Sequence, residues 1–86
     1  MVLDRAVKIY GAERCHKSRY YKEWLKQYKI PFTFYDVEEK EVYADELRSL
    51  YENGKLNFPT LVIKGKKLRN PRVYDLEKWL RKKGLL

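Results

Sequence analysis

Eighty-six residues suffice for one domain, residues 1–86, around one core and leave no room for a second. No run approaches the roughly 18 apolar residues that cross a bilayer, and Met1 to Ala6 lacks the apolar stretch of a secretion signal, so no membrane partner is expected and the location is expected to be cytoplasmic. Twenty Lys plus Arg against 12 Asp plus Glu leave a formal charge of +8, which favours anionic or acidic partners, although lysines from Lys17 to Lys83 are spread along the chain as on a solvated surface.

In chain order, Ala6 to Tyr10 is predicted as a strand, with Val7 and Ile9 on one face, Lys8 and Tyr10 on the other, and Gly11 closing it. From Cys15 to Lys29, Tyr21, Trp24, Leu25 and Tyr28 recur at i, i+3, i+4 and i+7, which puts four large apolar groups on one helical face until Pro31 stops the helix. Phe32 to Val37 is rich in aromatic and β-branched residues and too short for a helix, so it reads as a second strand, parallel to the first through a right-handed crossover.

A second helix is predicted from Glu41 to Glu52 on the spacing of Tyr43, Leu47, Leu50 and Tyr51, with Gly54 just past its end. Thr60 to Ile63 reads as a buried strand. Gly65 then turns the chain into a short antiparallel edge strand, Lys66 to Leu68, whose lysines discourage further pairing. Asn70 is expected to cap a last helix that begins at Pro71 and buries Val73, Leu76 and Leu80. The order βαβαββα describes an α/β fold with a four-stranded mixed sheet flanked by three helices.

The informative stretch is Tyr10 to Ser18, which places the only cysteine, Cys15, where a strand ends and a helix begins. Unpaired N–H groups and the positive end of the helix dipole stabilise an anion there, and Arg14, His16 and Lys17 add cationic or polar neighbours, so the Cys15 thiolate is favoured. A thiolate is the nucleophile that attacks disulfides. The polar flank argues against a cysteine buried as a small hydrophobe. Ser18, three residues on, either hydrogen-bonds the thiolate or solvates the first helical turn, and the frequency of serine at helix starts favours the second. His16 has no third group to hold it as a base and is read as an exposed side chain tuning Cys15. One cysteine beside one histidine cannot close a zinc site, so no metal is expected. Nor can a lone cysteine form an internal disulfide, and a free thiol suits a reducing compartment.

The ordered set of Cys15-His16-Lys17-Ser18 after a first strand, Ile30-Pro31-Phe32, Tyr35-Asp36-Val37 and Phe58-Pro59-Thr60-Leu61-Val62-Ile63 resembles the glutaredoxin family over nearly the whole chain. The resemblance implies a thioredoxin-like fold, a nucleophilic Cys15, a cis Pro59 facing it, and a Phe58 backbone that aligns a thiol substrate in strand-like pairing. It also implies glutathione as co-substrate. Three positions depart from the family's pattern. Ser18 replaces the second cysteine, making a monothiol variant, and His16-Lys17 replaces both the Pro-Tyr of the two-cysteine members and the Gly-Phe of the iron-sulfur-binding branch. Pro71-Arg72 replaces the Gly-Gly that lets glutathione approach, with Asp75 retained and Arg72 available to a carboxylate.

The leading expectation is therefore thiol–disulfide exchange or deglutathionylation through Cys15, acting on thiols or glutathionylated proteins. The alternative is a non-catalytic adaptor or iron-sulfur carrier of the same fold, in which two Cys15 thiolates and two glutathiones hold a cluster. A basic nucleic-acid-binding module ranks third, because most of the eight tyrosines fall on predicted inner faces, out of reach of bases.

Overall fold

A computed structural model of the chain describes residues 6–86; residues 1–5, and with them most of the segment read for a targeting signal, lie outside the described residues. The elements are β1 (Val7–Gly11), α1 (His16–Gln27), β2 (Phe32–Asp36), α2 (Glu41–Ser49), β3 (Thr60–Ile63), β4 (Lys66–Arg69) and α3 (Val73–Lys82). The sheet runs β2-β1-β3-β4. β1 pairs in parallel with β2, Val7 opposite Phe32 and Gly11 opposite Asp36, and antiparallel with β3, Val7 opposite Ile63 and Tyr10 opposite Thr60. β4 closes the edge against β3.

Alternation along β1 explains why helices cover both faces. Val7 and Ile9 join Tyr21, Trp24 and Leu25 of α1, Leu61 and Ile63 of β3, and Leu76 and Leu80 of α3 in one apolar cluster. Tyr10 points the other way, into a smaller cluster with Val37, Ala44 and Leu47 under α2. Of the predicted stripes Tyr21, Trp24, Leu25, Leu47, Leu76 and Leu80 are buried, while Tyr43, Leu50, Tyr51 and Val73 are half-buried. Tyr28 is the exception: it stays 46% exposed, with its ring 4.4 Å from that of Trp24.

Three helix boundaries differ from the sequence expectation. α1 stops at Gln27 because Lys29 takes a left-handed φ of 56°, so that Ile30 N–H reaches the Leu25 carbonyl and Lys29 N–H that of Lys26; this closes the helix two residues before Pro31 requires it. α2 tightens after Ser49, where Leu50 and Tyr51 donate to carbonyls only three residues back. Asn70 does not cap α3. Its φ is 47°, a conformation asparagine tolerates, and its N–H bonds the Pro59 carbonyl, so Arg72 holds the cap position and α3 begins at Val73.

Candidate functional site

Cys15, Ser18 and Pro59 lie toward one end of the sheet, where β1 runs out and α1 begins. After Gly11 the chain turns tightly, with Cys15 N–H donating 2.9 Å to the Ala12 carbonyl, and Cys15 itself caps α1 with an extended backbone (φ −80°, ψ 120°). The register of β1 on β3, continued one step past Tyr10 and Thr60, sets Pro59 opposite Gly11. The Phe58–Pro59 bond is cis, as the family resemblance implied. Its turn is strapped by the buried Thr60 hydroxyl, which donates to the Asn57 carbonyl and accepts from Tyr51.

Ser18 is fully buried under the cysteine turn, contrary to the solvating role favoured from its position. Its Oγ accepts the Ala12 N–H at 3.2 Å, which leaves the hydroxyl proton free for Cys15. The fit is close: a methyl group added at Gly11 would sit 2.2 Å from Ser18 Oγ. Thus the absence of a side chain at Gly11 makes room for Ser18, and Ser18 in turn fixes the turn that presents the thiol.

Cys15 is partly exposed. Burial pushes its thiol up, but hydrogen bonds to the thiolate from the Ser18 hydroxyl and from the Ser18 and Lys17 backbone N–H groups outweigh it, and the net shift is below the ordinary cysteine value; the Glu38 charge opposes. The N–H groups of the helix start act as the sequence expectation has them, whereas the cationic side chains are not among the causes of the shift. Arg14 turns away into a two-point ion pair, Nε 2.7 Å from Glu38 Oε1, and His16 and Lys17 are exposed. Lys17 contributes through its backbone.

Tyr21 lies one turn below Ser18 and ties the third segment in. Its buried hydroxyl donates 2.5 Å to the Pro71 carbonyl and lies 3.2 Å from Asn70 Oδ1; burial first, with the Tyr20 and Cys15 charges, pushes its pKa up to about 12. Since Asn70 N–H also holds the Pro59 carbonyl, α1, the cis-Pro turn and the start of α3 form one hydrogen-bonded unit. Arg72 is exposed at the cap of α3 and Asp75 half-buried in its first turn. Among the described residues neither side chain is engaged in a hydrogen bond or ion pair.

A family model described as Glutaredoxin matches residues 7–68, most of the chain and all of β1 through the start of β4. The chain belongs to the glutaredoxin family. Solved structures share its fold: the glutaredoxin from Archaeoglobus fulgidus has a TM-score of 0.75 at 19% identity, over 90% of this chain and 87% of that one. A thioredoxin-like protein, BC3987, scores 0.73 at 24% identity over 88% and 95%. A buckwheat glutaredoxin solved as its glutathione complex scores 0.69 at 15% identity over 95% and 82%. No curated protein sequence matches the chain. The thioredoxin-like fold, with its four-stranded mixed sheet and three helices, is thereby shown.

Of the residues read from the sequence of this glutaredoxin, Cys15, Ser18, Pro59 and the turn before Arg72 are brought to one end of the sheet, Phe58 packs under α2, and Arg14 is diverted to Glu38. Sequence reasoning missed Tyr21 and Asn70 as the bracket of the site, because an amphipathic stripe reads Tyr21 as core and a Pro-flanked Asn70 reads as a cap. It also missed Asp36, whose carboxylate accepts the N–H groups of Glu13, Glu38 and Glu39 and so holds the loop before Cys15. The signal available was an aspartate at a strand end facing a polar loop. No group of three His, Cys, Asp or Glu side chains placed to hold a metal ion occurs among the described residues, and no helix among them is long and apolar enough to cross a membrane.

Proposed function

We propose that this glutaredoxin is a monothiol thiol–disulfide oxidoreductase that removes glutathione from mixed disulfides through Cys15. The observation that carries the reading is the Cys15 sulfur at the helix cap, with the Ser18 hydroxyl and two backbone N–H groups stabilising its thiolate. The Cys15 thiolate attacks the glutathione sulfur of a protein–glutathione disulfide, the protein leaves as its thiolate, and a proton returns to it from solvent. A second glutathione, as thiolate, then attacks the glutathione sulfur on Cys15, giving glutathione disulfide and regenerating Cys15. Each step exchanges one S–S bond for another, so no further oxidant is needed. Ser18 is not consumed in the cycle.

In this reading the Phe58 backbone before Pro59 pairs with the extended tripeptide, Arg72 meets a glutathione carboxylate and Asp75 its amino group. The +8 charge favours glutathionylated proteins with acidic surfaces. Because the cycle consumes reduced glutathione, a reducing compartment such as the cytoplasm is the proposed setting.

The test is turnover of a glutathionylated peptide with glutathione, glutathione reductase and NADPH, read at 340 nm. Cys15→Ser is expected to abolish turnover with an unchanged melting curve, and Arg72→Ala to raise KM for glutathione. Turnover retained by Cys15→Ser, or a wild-type rate equal to the uncatalysed one, overturns the proposal.

A further inference from the structure

Trp79 of α3 is surrounded by ammonium groups. Nζ of Lys66 lies 4.5 Å from its ring centroid, that of Lys82 4.9 Å, and those of Lys78 and Lys83 6.0 Å each. Lys64 joins them, its Nζ 2.9 Å from the Lys83 carbonyl. The π face of one indole draws these cations together, yet like charges inside a sphere of 6.0 Å radius repel over less than a Debye length. Among the described residues no carboxylate pairs with them, the ion pairs there using only Arg14, Lys22 and Arg48 as cations. The negative end of α3 accounts for Lys82 and Lys83. It does not account for Lys66 on the edge strand or for Lys78 a turn earlier.

This cluster stands at the pole away from Cys15. Ile63 pairs with Val7 at the start of β1, Lys64 N–H bonds the Ala6 carbonyl, and Lys66 begins β4 there, whereas Cys15 follows the other end of β1. A ligand held at the cluster leaves the thiol open. We infer that the lysine ring about Trp79 binds the phosphate backbone of nucleic acid without sequence preference, a function separate from Cys15 chemistry.

Three features select this occupant. The cations about Trp79 are all lysines, compact point charges that bind phosphate without a directional fork and so read backbone charge and not base edges. A membrane-surface site inserts a band of apolar side chains, but of the exposed large apolar groups Tyr20, Tyr28 and Val42 belong to α1, its cap and α2, which leaves Tyr74, a turn before Lys78, and Leu86 after α3, too few for such a band. Finally, ammonium groups already occupy the indole surroundings, so base stacking is not required and the backbone charge is what is read. The sequence-level objection to nucleic acid concerned inward-facing tyrosines, and the cluster uses none.

The experiment is anisotropy of a labelled 20-nucleotide oligothymidylate titrated with the whole protein from 50 to 200 mM salt. Four engaged lysines give a slope of log K on log salt of about −3, a loss of about fiftyfold across that range. Lys66→Glu with Lys82→Glu is expected to weaken binding at least about tenfold and halve the slope, with turnover of the glutathionylated peptide unchanged. Lys26→Glu with Lys55→Glu, an equal change in net charge elsewhere, is expected to weaken it by less than about threefold. Should the reversed pair lower the melting temperature, Lys66→Gln with Lys82→Gln repeats the test. No binding at 50 mM salt, or equal losses from the two pairs, overturns the inference. So does equally tight capture by polyglutamate or phosphatidylserine vesicles that the same reversal abolishes.

Discussion

Ser18→Ala separates two jobs that one hydroxyl performs. Ser18 Oγ accepts the Ala12 N–H at 3.2 Å in a fully buried site, so truncation leaves a backbone donor with neither protein nor water to receive it. An orphaned buried donor costs about 1–3 kcal/mol, and at about 4–8 °C per kcal/mol for a chain of this size the melting temperature should fall by roughly 4–24 °C. The same truncation removes the principal hydrogen bond to the Cys15 thiolate, so the thiol rises toward or past the ordinary cysteine value. Because the folded-state thiol titrates below its unfolded value, it adds stability that is fully present above the unfolded value and lost as pH falls through the folded one. Ser18→Ala narrows that window. The assay pairs thermal melts with the rate of iodoacetamide alkylation from pH 5 to 10. If both the melting temperature and the alkylation midpoint stay at wild-type values, Ser18 neither supports the turn nor stabilises the thiolate, and the site as described is wrong.

Gly11→Ala should destabilise by about 1–3 kcal/mol, as overpacking does, since its methyl group would meet Ser18 Oγ at 2.2 Å and Ser18 Cβ at 2.9 Å; urea melts measure it, and a neutral result would mean that the turn yields. Glu38→Gln removes the charge that opposes the thiolate and releases Arg14, so alkylation at neutral pH should accelerate, and a slower rate would contradict the electrostatic account. Tyr21 titrates near 12 in the fold against 10.0 unperturbed, so its contribution is intact below pH 10 and lost as pH rises through 12. Tyr21→Phe should accordingly cost about 1 kcal/mol at pH 7, with its deficit against wild type closing as pH rises above 10 and reversing before pH 12 in denaturant titrations, because only wild type must bury a phenolate. Ser18→Cys places a second sulfur where the hydroxyl reached Cys15, and mild oxidation should remove two hydrogens from one monomer by mass spectrometry; a persistently free introduced thiol would show that the positions do not face each other.

The elements were legible because apolar periodicity survives folding. Val7 and Ile9, Leu47, and Leu76 with Leu80 each repeat at the period of the element that buries them, and all are buried. What periodicity could not carry was direction at the chain turns. Lys29 and Asn70 adopt left-handed backbones that neither composition nor spacing announces: the first closes α1 locally, letting Ile30 N–H reach the Leu25 carbonyl, and the second answers a tertiary demand, the Pro59 carbonyl's need of a donor. Arg14 shows the same limit for charge. Adjacent to Cys15 in sequence, it pairs with Glu38, 24 residues on, because the loop after β2 lies beside the cysteine turn, where Val37 N–H bonds the Gly11 carbonyl.

That redistribution bears on how a single-cysteine site stays reactive. With Arg14 neutralised and His16 and Lys17 in water, the thiolate rests on short-range donors, whose strength depends on geometry and hardly on salt. The geometry comes from residues away from the sulfur: Gly11 makes room, Ala12 orients Ser18, and Tyr21 with Asn70 holds the cis-Pro turn and the start of α3 against α1. In the proposed cycle a serine in the position of a resolving thiol stabilises the Cys15 thiolate without being able to form an internal disulfide with it, which a cysteine there could do.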